Sequence, residues 1–261
     1  SIDSGNNTNW SISGPSSAEL IWDGSEGTSW DTPGNWDLNK VPASVDTVII
    51  PDVTNDPVLA SAVTIASITI QSGAAVTLNN YDLTISSNVN IYGELAASNT
   101  EQITVGGSWY AYAGSTFTYN TSTVTFISSG GTKSILSNGA SFYNLVLSSN
   151  VTAGTYQLSD DLYVMKNFTQ YHGTFDTNDS GNYAVKISSS AYLYGSFYAR
   201  GSTVTVDANW VSSNCNFYQG TSHVKLTGTG KLIPKYSQPQ GFYKISLAYF
   251  GEVTTLLNHM Q

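Results

Sequence analysis

Residues 83–126 read LTISSNVNIYGELAASNTEQITVGGSWYAYAGSTFTYNTSTVTF. Three apolar–Thr–apolar triplets stand in this stretch, Leu83-Thr84-Ile85, Ile103-Thr104-Val105 and Val124-Thr125-Phe126. Period-2 alternation sends the outer members of each triplet inward and the middle one outward. Gly, Asn and Ser fill the intervals, where a chain must turn. The pattern extends both ways from here. Val63-Thr64-Ile65 precedes it, and Leu145-Val146-Leu147, Leu162-Tyr163-Val164, Val185-Lys186-Ile187, Val204-Thr205-Val206, Val224-Lys225-Leu226 and Ile245-Ser246-Leu247 follow. Successive steps are 20, 20, 21, 21, 17, 23, 19, 20 and 21 residues. A fixed step near 20 residues with a strand in each unit predicts a β-solenoid, whose turns bury their apolar faces only by stacking.

Longer echoes support this reading. Thr121-Ser-Thr-Val-Thr-Phe126 returns as Thr221-Ser-His-Val-Lys-Leu226, and Ser141-Phe-Tyr-Asn-Leu-Val-Leu147 as Gly241-Phe-Tyr-Lys-Ile-Ser-Leu247. Ile91-Tyr-Gly93 returns as Leu193-Tyr-Gly195. These matches predict a duplication of about 100 residues, or five turns. A β-sandwich of short strands is the rival fold, and the near-constant spacing over ten units argues against it. The expected object is all-β, a right-handed parallel β-helix of about ten turns, roughly 50 Å long at one strand spacing per turn.

Composition narrows the class in the same direction. The chain has 261 residues, of which 10% are charged, and 37 Ser, 29 Thr, 22 Asn and 23 Gly supply most of its polarity. A chain so poor in Lys, Arg and Glu cannot clothe the outer faces of amphipathic helices. With 17 Tyr, 9 Phe and 6 Trp it is too aromatic to stay disordered. Nine basic against 18 acidic residues leave −9, which argues against nucleic acid as a partner. The charge is uneven: residues 1–101 hold 12 acidic and one basic residue (−11), residues 102–261 six and eight (+2). No apolar run is long enough to span a membrane. One cysteine, Cys215, and three scattered histidines predict no disulfide, no metal centre and no cofactor.

The chain divides into an extended polar arm (1–19), a Trp-rich cap (20–46) and the β-helix with its internal duplication (47–261). In the cap, Trp22, Trp30 and Trp36 lie among the turn residues Asp23-Gly24, Pro33-Gly34 and Pro42. So many indoles must pack on something, and the end of the solenoid is the expected partner. A carbohydrate platform is the sharper alternative. A start at Ser1 without Met or a signal-like apolar segment reads as a mature product or an excised piece.

The order Trp22-Asp-Gly, Trp30, Asn35-Trp36, Val41-Pro42 and Asp46-Thr-Val-Ile-Ile50, followed by turns such as Gly114–Phe126 and Gly173-Thr-Phe-Asp-Thr-Asn178, resembles prokaryotic secreted and cell-surface right-handed parallel β-helix proteins, adhesin-like and autotransporter-passenger-like. The resemblance covers roughly residues 20–250 and its motifs are structural. It implies secretion, a surface location and adhesion or scaffolding, and it transfers no catalytic residue.

Parallel β-helices also host polysaccharide lyases and hydrolases, so the carboxylates matter. Asp160-Asp161 is the adjacent pair, placed just before a triplet where turn Asp is expected. Arg200, the single arginine, has no acidic residue near it in sequence. Asp176-Thr-Asn-Asp-Ser-Gly-Asn182 partly matches a calcium loop but has Ile187 where the twelfth-position Glu belongs. The expectation is a non-enzymatic extracellular structural or adhesive protein. The alternative is a polysaccharide-binding or polysaccharide-active one. Candidate glycan contacts are Tyr143, Tyr198, Tyr218 and Tyr243, if alternation turns the tyrosine of each Phe-Tyr tandem outward; the alternative is that these rings seal turns and corners. Ice binding by Thr64, Thr84, Thr104 and Thr125 is weaker, because in a single ladder Val146, Tyr163 and Lys186 interrupt the threonines. The charge asymmetry favours head-to-tail association of copies, with Trp10 and Ile12 of the arm and Leu256 and Leu257 near the last turn as candidate assembly residues.

Overall fold

A computed structural model describes residues 16–148, 154–229, 232–233 and 241–247. Trp10, Ile12, Leu256 and Leu257 lie outside the described residues. The chain is an all-β parallel solenoid. Every pairing between its strands is parallel, and the partners sit about one turn apart in sequence. Each full turn has three legs, here called faces A, B and C in chain order. Face A is a nine-stranded sheet that begins with Val63–Ile65, and face B a ten-stranded sheet that begins with Glu19–Ile21 and Thr47–Ile50. The third leg is split. Three strands, Ala75–Thr77, Glu94–Ala96 and Thr116–Thr118, form one sheet, and six, from Ser141–Phe142 to Lys244–Leu247, form another. Nine strands on face A make about nine turns among the described residues, close to the ten expected.

Alternation explains the core. The outer residues of each triplet through Val224-Lys225-Leu226 are buried, while Thr104, Thr125, Lys186 and Thr205 between them are not. Rings fill the interior where the cross-section leaves room. Trp109, Phe117 and Phe142 pack edge to face, and Phe168, Phe175, Phe197, Trp210, Phe217 and Phe242 continue as an aromatic spine through the later turns. Tyr156 is also inside, where its hydroxyl donates to the Phe126 carbonyl and accepts from the Ser128 amide.

The cap closes the first turns. Trp22, Trp30 and Trp36 are fully buried and meet edge to face with centroids 5.0 and 4.8 Å apart. Trp36 Nε1 donates to the Trp30 carbonyl, and Trp22 Nε1 to that of Asn55. No indole face is left for a sugar, so the platform alternative is corrected: these rings are core. Glu19, the last residue of the expected arm, already pairs with Thr47.

The triplets do not form one column. Those from Val63 to Leu147 stack on face A. Those from Leu162 to Leu247 stack on face C. The 17-residue step between Leu145 and Leu162 covers two legs instead of three, so the pattern re-emerges one leg early. The distant echoes are displaced in the same way. Leu83–Ile85, Val89–Ile91 and Glu94–Ala96 occupy faces A, B and C. Their counterparts 102 residues later, Val185–Ile187, Ala191–Leu193 and Ser196–Tyr198, occupy faces C, A and B. The matching stretches are strands in both places, but the later set stands one face away around the axis.

Candidate functional site

A solenoid fixes its outer side chains in ladders one strand spacing apart, so the register determines which residues meet. The Phe-Tyr tandems behave as alternation requires. Phe142 and Phe197 are buried, Phe217 and Phe242 partly so, and the following tyrosines point outward. Tyr198 and Tyr218 are in register on face B. Their rings stack at 4.2 Å with planes 10° apart. Tyr143 stands at the corner where the chain leaves face C for face A, and Tyr243 precedes the last strand of face C. The structure therefore brings together two of the four tyrosines.

Stacking changes what those two can do. Each ring presents a face to the other, and the Arg200 guanidinium lies 4.9 Å from the Tyr198 centroid. For Tyr198, ring edges and the hydroxyl are what remain for a ligand, while Tyr218 stays 47% exposed. Burial and the Tyr218 hydroxyl hold the Tyr198 phenol above its usual pKa, so it stays a neutral hydrogen-bonding group at physiological pH. The same device recurs at Tyr92–Tyr112, 4.1 Å apart and 2° from parallel, and at Tyr171–Tyr194, 6.1 Å and 8°. Sequence reading missed these two pairs; the signal was a tyrosine recurring one turn later, at steps of 20 and 23 residues.

Arg200 does have an acidic partner. Asp176, one turn earlier, receives Nε at 3.0 Å and Nη2 at 2.8 Å in a bidentate pair. Burial opposes ionisation of Asp176, but Arg200, the Asn178 amide and Gln157 outweigh it, and the carboxyl is held below its ordinary pKa. Arg200 adopts a left-handed backbone, φ 53°, at the turn that aims it back along the axis. Asp176 thus serves an ion pair between turns and not a calcium loop with Asn178 and Asn182. Among the described residues no cluster of three or more metal-ligating side chains occurs.

Other turn carboxylates follow the same rule. Asp160 accepts the amides of Ser137 at 2.8 Å and Gly139 at 3.3 Å on one side, while Asp161 accepts that of Ala184 at 2.8 Å on the other. The two neighbours point to opposite turns. Asp56 accepts from Ala75, Asp82 from Gln102, and Glu101 from Asn80 across a turn and from Ser98 and Asn99 within its own. Each is a staple between stacked backbones.

The outer ladders of faces A and C are unlike each other. On face A the middle positions run Thr64, Thr84, Thr104, Thr125, Val146, Thr169, Tyr192 and Val211. Tyr163 and Lys186 do not interrupt the threonines; they belong to another face. On face C the corresponding ladder is Ser141, Tyr163, Lys186, Thr205, Lys225 and Ser246. Beside it, Thr203, His223 and Lys244 form a second, shorter ladder.

Comparison with known proteins adds one match. Residues 21–104, which span the Trp cap and the first turns, match the model of a domain of unknown function (DUF8693). No curated protein and no solved structure matches the chain.

Proposed function

We propose that this chain is a non-enzymatic extracellular rod, structural and adhesive in role, of the kind found on prokaryotic cell surfaces. The observation that carries the reading is the use of its reactive side chains. Asp160, Asp161, Asp176 and Arg200 are engaged in bonds that tie one turn to the next, while the long faces present regular ladders of small polar residues and tyrosine. Such a rod offers area and rigidity, and a multipoint surface contact needs both. A hydroxyl-rich, charge-poor surface suits an extracellular setting. No helix among the described residues is long and apolar enough to cross a membrane.

The test is to incubate the chain with a panel of plant and bacterial polysaccharides and follow their size distribution. The expected result is unchanged chain length, with retention of the protein on whole cells or on an isolated matrix. Cleavage that disappears in D160N or D161N overturns the reading. Head-to-tail fibre formation by copies of the chain belongs to the same proposal, supported by −11 in residues 1–101 against +2 in the remainder. Electron microscopy at low and high salt tests it: salt-sensitive filaments are expected, and monomers under all conditions contradict it.

A further inference from the structure

We propose that the outer surface of face C is a binding strip for an acidic polysaccharide lying along the rod axis. This rests on the adhesive reading above and names the chemistry of what is bound. Of the nine Lys and Arg residues in the chain, Lys186, Lys225 and Lys244 project from this one sheet. The described strands of the sheet carry no outward carboxylate. Their outward residues are Ser141, Tyr163, Lys186, Thr203, Thr205, His223, Lys225, Lys244 and Ser246. Of the carboxylates at the rim, Asp161 accepts the Ala184 amide and Asp207 the Thr227 hydroxyl, while Asp179 stands in the loop before Val185–Ile187 within the field of Arg200. Among the described residues the ion pairs are Lys40–Asp46 and Arg200–Asp176, so none of the three lysines is paired with a described carboxylate.

Spacing selects the ligand. Lys186 and Lys225 share one ladder with Thr205 between them, two turns apart, which is about 9.6 Å at the usual strand spacing. An extended pyranose chain advances by about one strand spacing per sugar. A polymer with an acidic group on every second sugar therefore meets Lys186 and Lys225 in register, with the Thr205 hydroxyl facing the neutral sugar between. Lys244 lies one turn beyond Lys225 on the adjacent ladder and extends the positive end. His223 stands between Lys225 and Lys244; its Nε2 is 2.7 Å from the Ser246 hydroxyl. Burial first, then those two lysines, lower its pKa, so it serves as a neutral hydrogen-bonding group.

A second copy of the chain is the competing occupant, because residues 1–101 are strongly acidic. The side chains of that segment argue against it. Asp23, Asp37, Asp46, Asp56, Asp82 and Glu101 each accept backbone amides in turns. These six of the twelve are capping groups, and Glu19 and Glu94, which stand on strands, are in register with Thr47 and with Ala75 and Thr116, so no two described carboxylates of the segment form a ladder at strand spacing.

Binding to immobilised hyaluronan (a carboxylate on every second sugar), dextran sulfate (sulfate) and dextran (neutral) by biolayer interferometry tests the proposal. The expected result is retention on one or both acidic polymers and none on dextran, with affinity rising as salt is lowered. K186Q/K225Q/K244Q is expected to weaken binding about tenfold or more, and K225Q several-fold. K133Q, which removes one charge from face B, is expected to leave it unchanged. Circular dichroism confirms that each variant is folded. No binding to either acidic polymer, equal binding to dextran, or an unchanged triple variant overturns the proposal. Side-by-side pairing of rods without polymer, seen by electron microscopy and abolished in the triple variant, also overturns it and gives the strip to a second copy. Polymer that is bound and then shortened leaves the strip standing and removes the non-enzymatic reading, so the two fail separately.

Discussion

Glu101 shows how one residue holds two turns together. Its carboxylate is nearly inaccessible, and it accepts the amides of Ser98 and Asn99 within its own turn and that of Asn80 from the turn before. Burial alone would favour the neutral acid, but the converging N–H groups outweigh it and hold the carboxyl below its usual range. Asp46 is held low in the same way: Lys40 and the Ala43 and Ala18 amides outweigh its burial. A carboxylate with a lowered folded-state pKa contributes stability that is fully present above its unfolded-state value. That stability is lost as pH falls through the folded-state value. Thermal unfolding is therefore expected to show a midpoint that is steady near neutrality and drops below about pH 4, where unfolded carboxylates begin to protonate. E101Q is expected to cost about 1–3 kcal/mol at neutral pH, because an amide nitrogen replaces one acceptor opposite a buried N–H. Its midpoint should fall less steeply in acid than that of the parent chain. An E101Q variant as stable as the parent would show that the three bonds contribute nothing.

At the scale of single elements, corners and caps are the most exacting parts. Gly93 turns the chain from face B to face C, and a Cβ there would lie 2.1 Å from the Ala74 carbonyl oxygen and 2.3 Å from that of Gln71. Gly195, its counterpart in the second copy, meets the Gly173 oxygen at 2.4 Å. Both obstacles are backbone, so neither can move aside cheaply. G93A is expected to destabilise the rod by about 1–3 kcal/mol in chemical denaturation. An unchanged denaturation midpoint would contradict this geometry. The cap makes a larger demand. W36A removes a ring that touches both Trp22 and Trp30, and it should cost about 3–5 kcal/mol and broaden the tryptophan fluorescence transition as the first turns open early. The cap was legible from residue types alone. Three tryptophans in a turn-rich segment have to be buried, whereas the close approach at Gly93 shows only once the turns are stacked. The Arg200–Asp176 pair was not legible, because its partners are 24 residues apart and only the register of stacked turns joins them.

For the whole molecule, the period of the text and the period of the rod differ at one place. Ten triplets at nearly constant spacing predict a single ladder, and the strands themselves were readable on that basis. The 17-residue step between Leu145 and Leu162 was also visible, but averaging it with its neighbours hid its meaning. A full turn near this point takes 21–23 residues, as from Val124 to Leu145 and from Leu145 to Phe168, so 17 residues reach only the next face but one. Local packing permits this because each leg needs only an apolar–x–apolar strand beneath it, whichever copy supplied it. The consequence is chemical. Were the ladder continuous, the four threonines would run on through Val146 and Tyr163 into Lys186, Thr205 and Lys225 in one row. Displaced by a face, they separate into a Thr-rich face A and a lysine-bearing face C.

The most direct measurement of this account is disulfide trapping across the displaced step, in a C215S background. Val146 pairs with Thr169 on face A, whereas Tyr163 stands on face C beside Ser141 and Lys186. Adjacent residues on parallel strands fall within the separation a disulfide spans, about 4.4–6.8 Å between Cα atoms. The account predicts that V146C/T169C cross-links readily under mild oxidation, as read by mass spectrometry of the digested chain, and that V146C/Y163C does not. Efficient cross-linking of V146C/Y163C with none in V146C/T169C would restore a single ladder and contradict the displaced repeat.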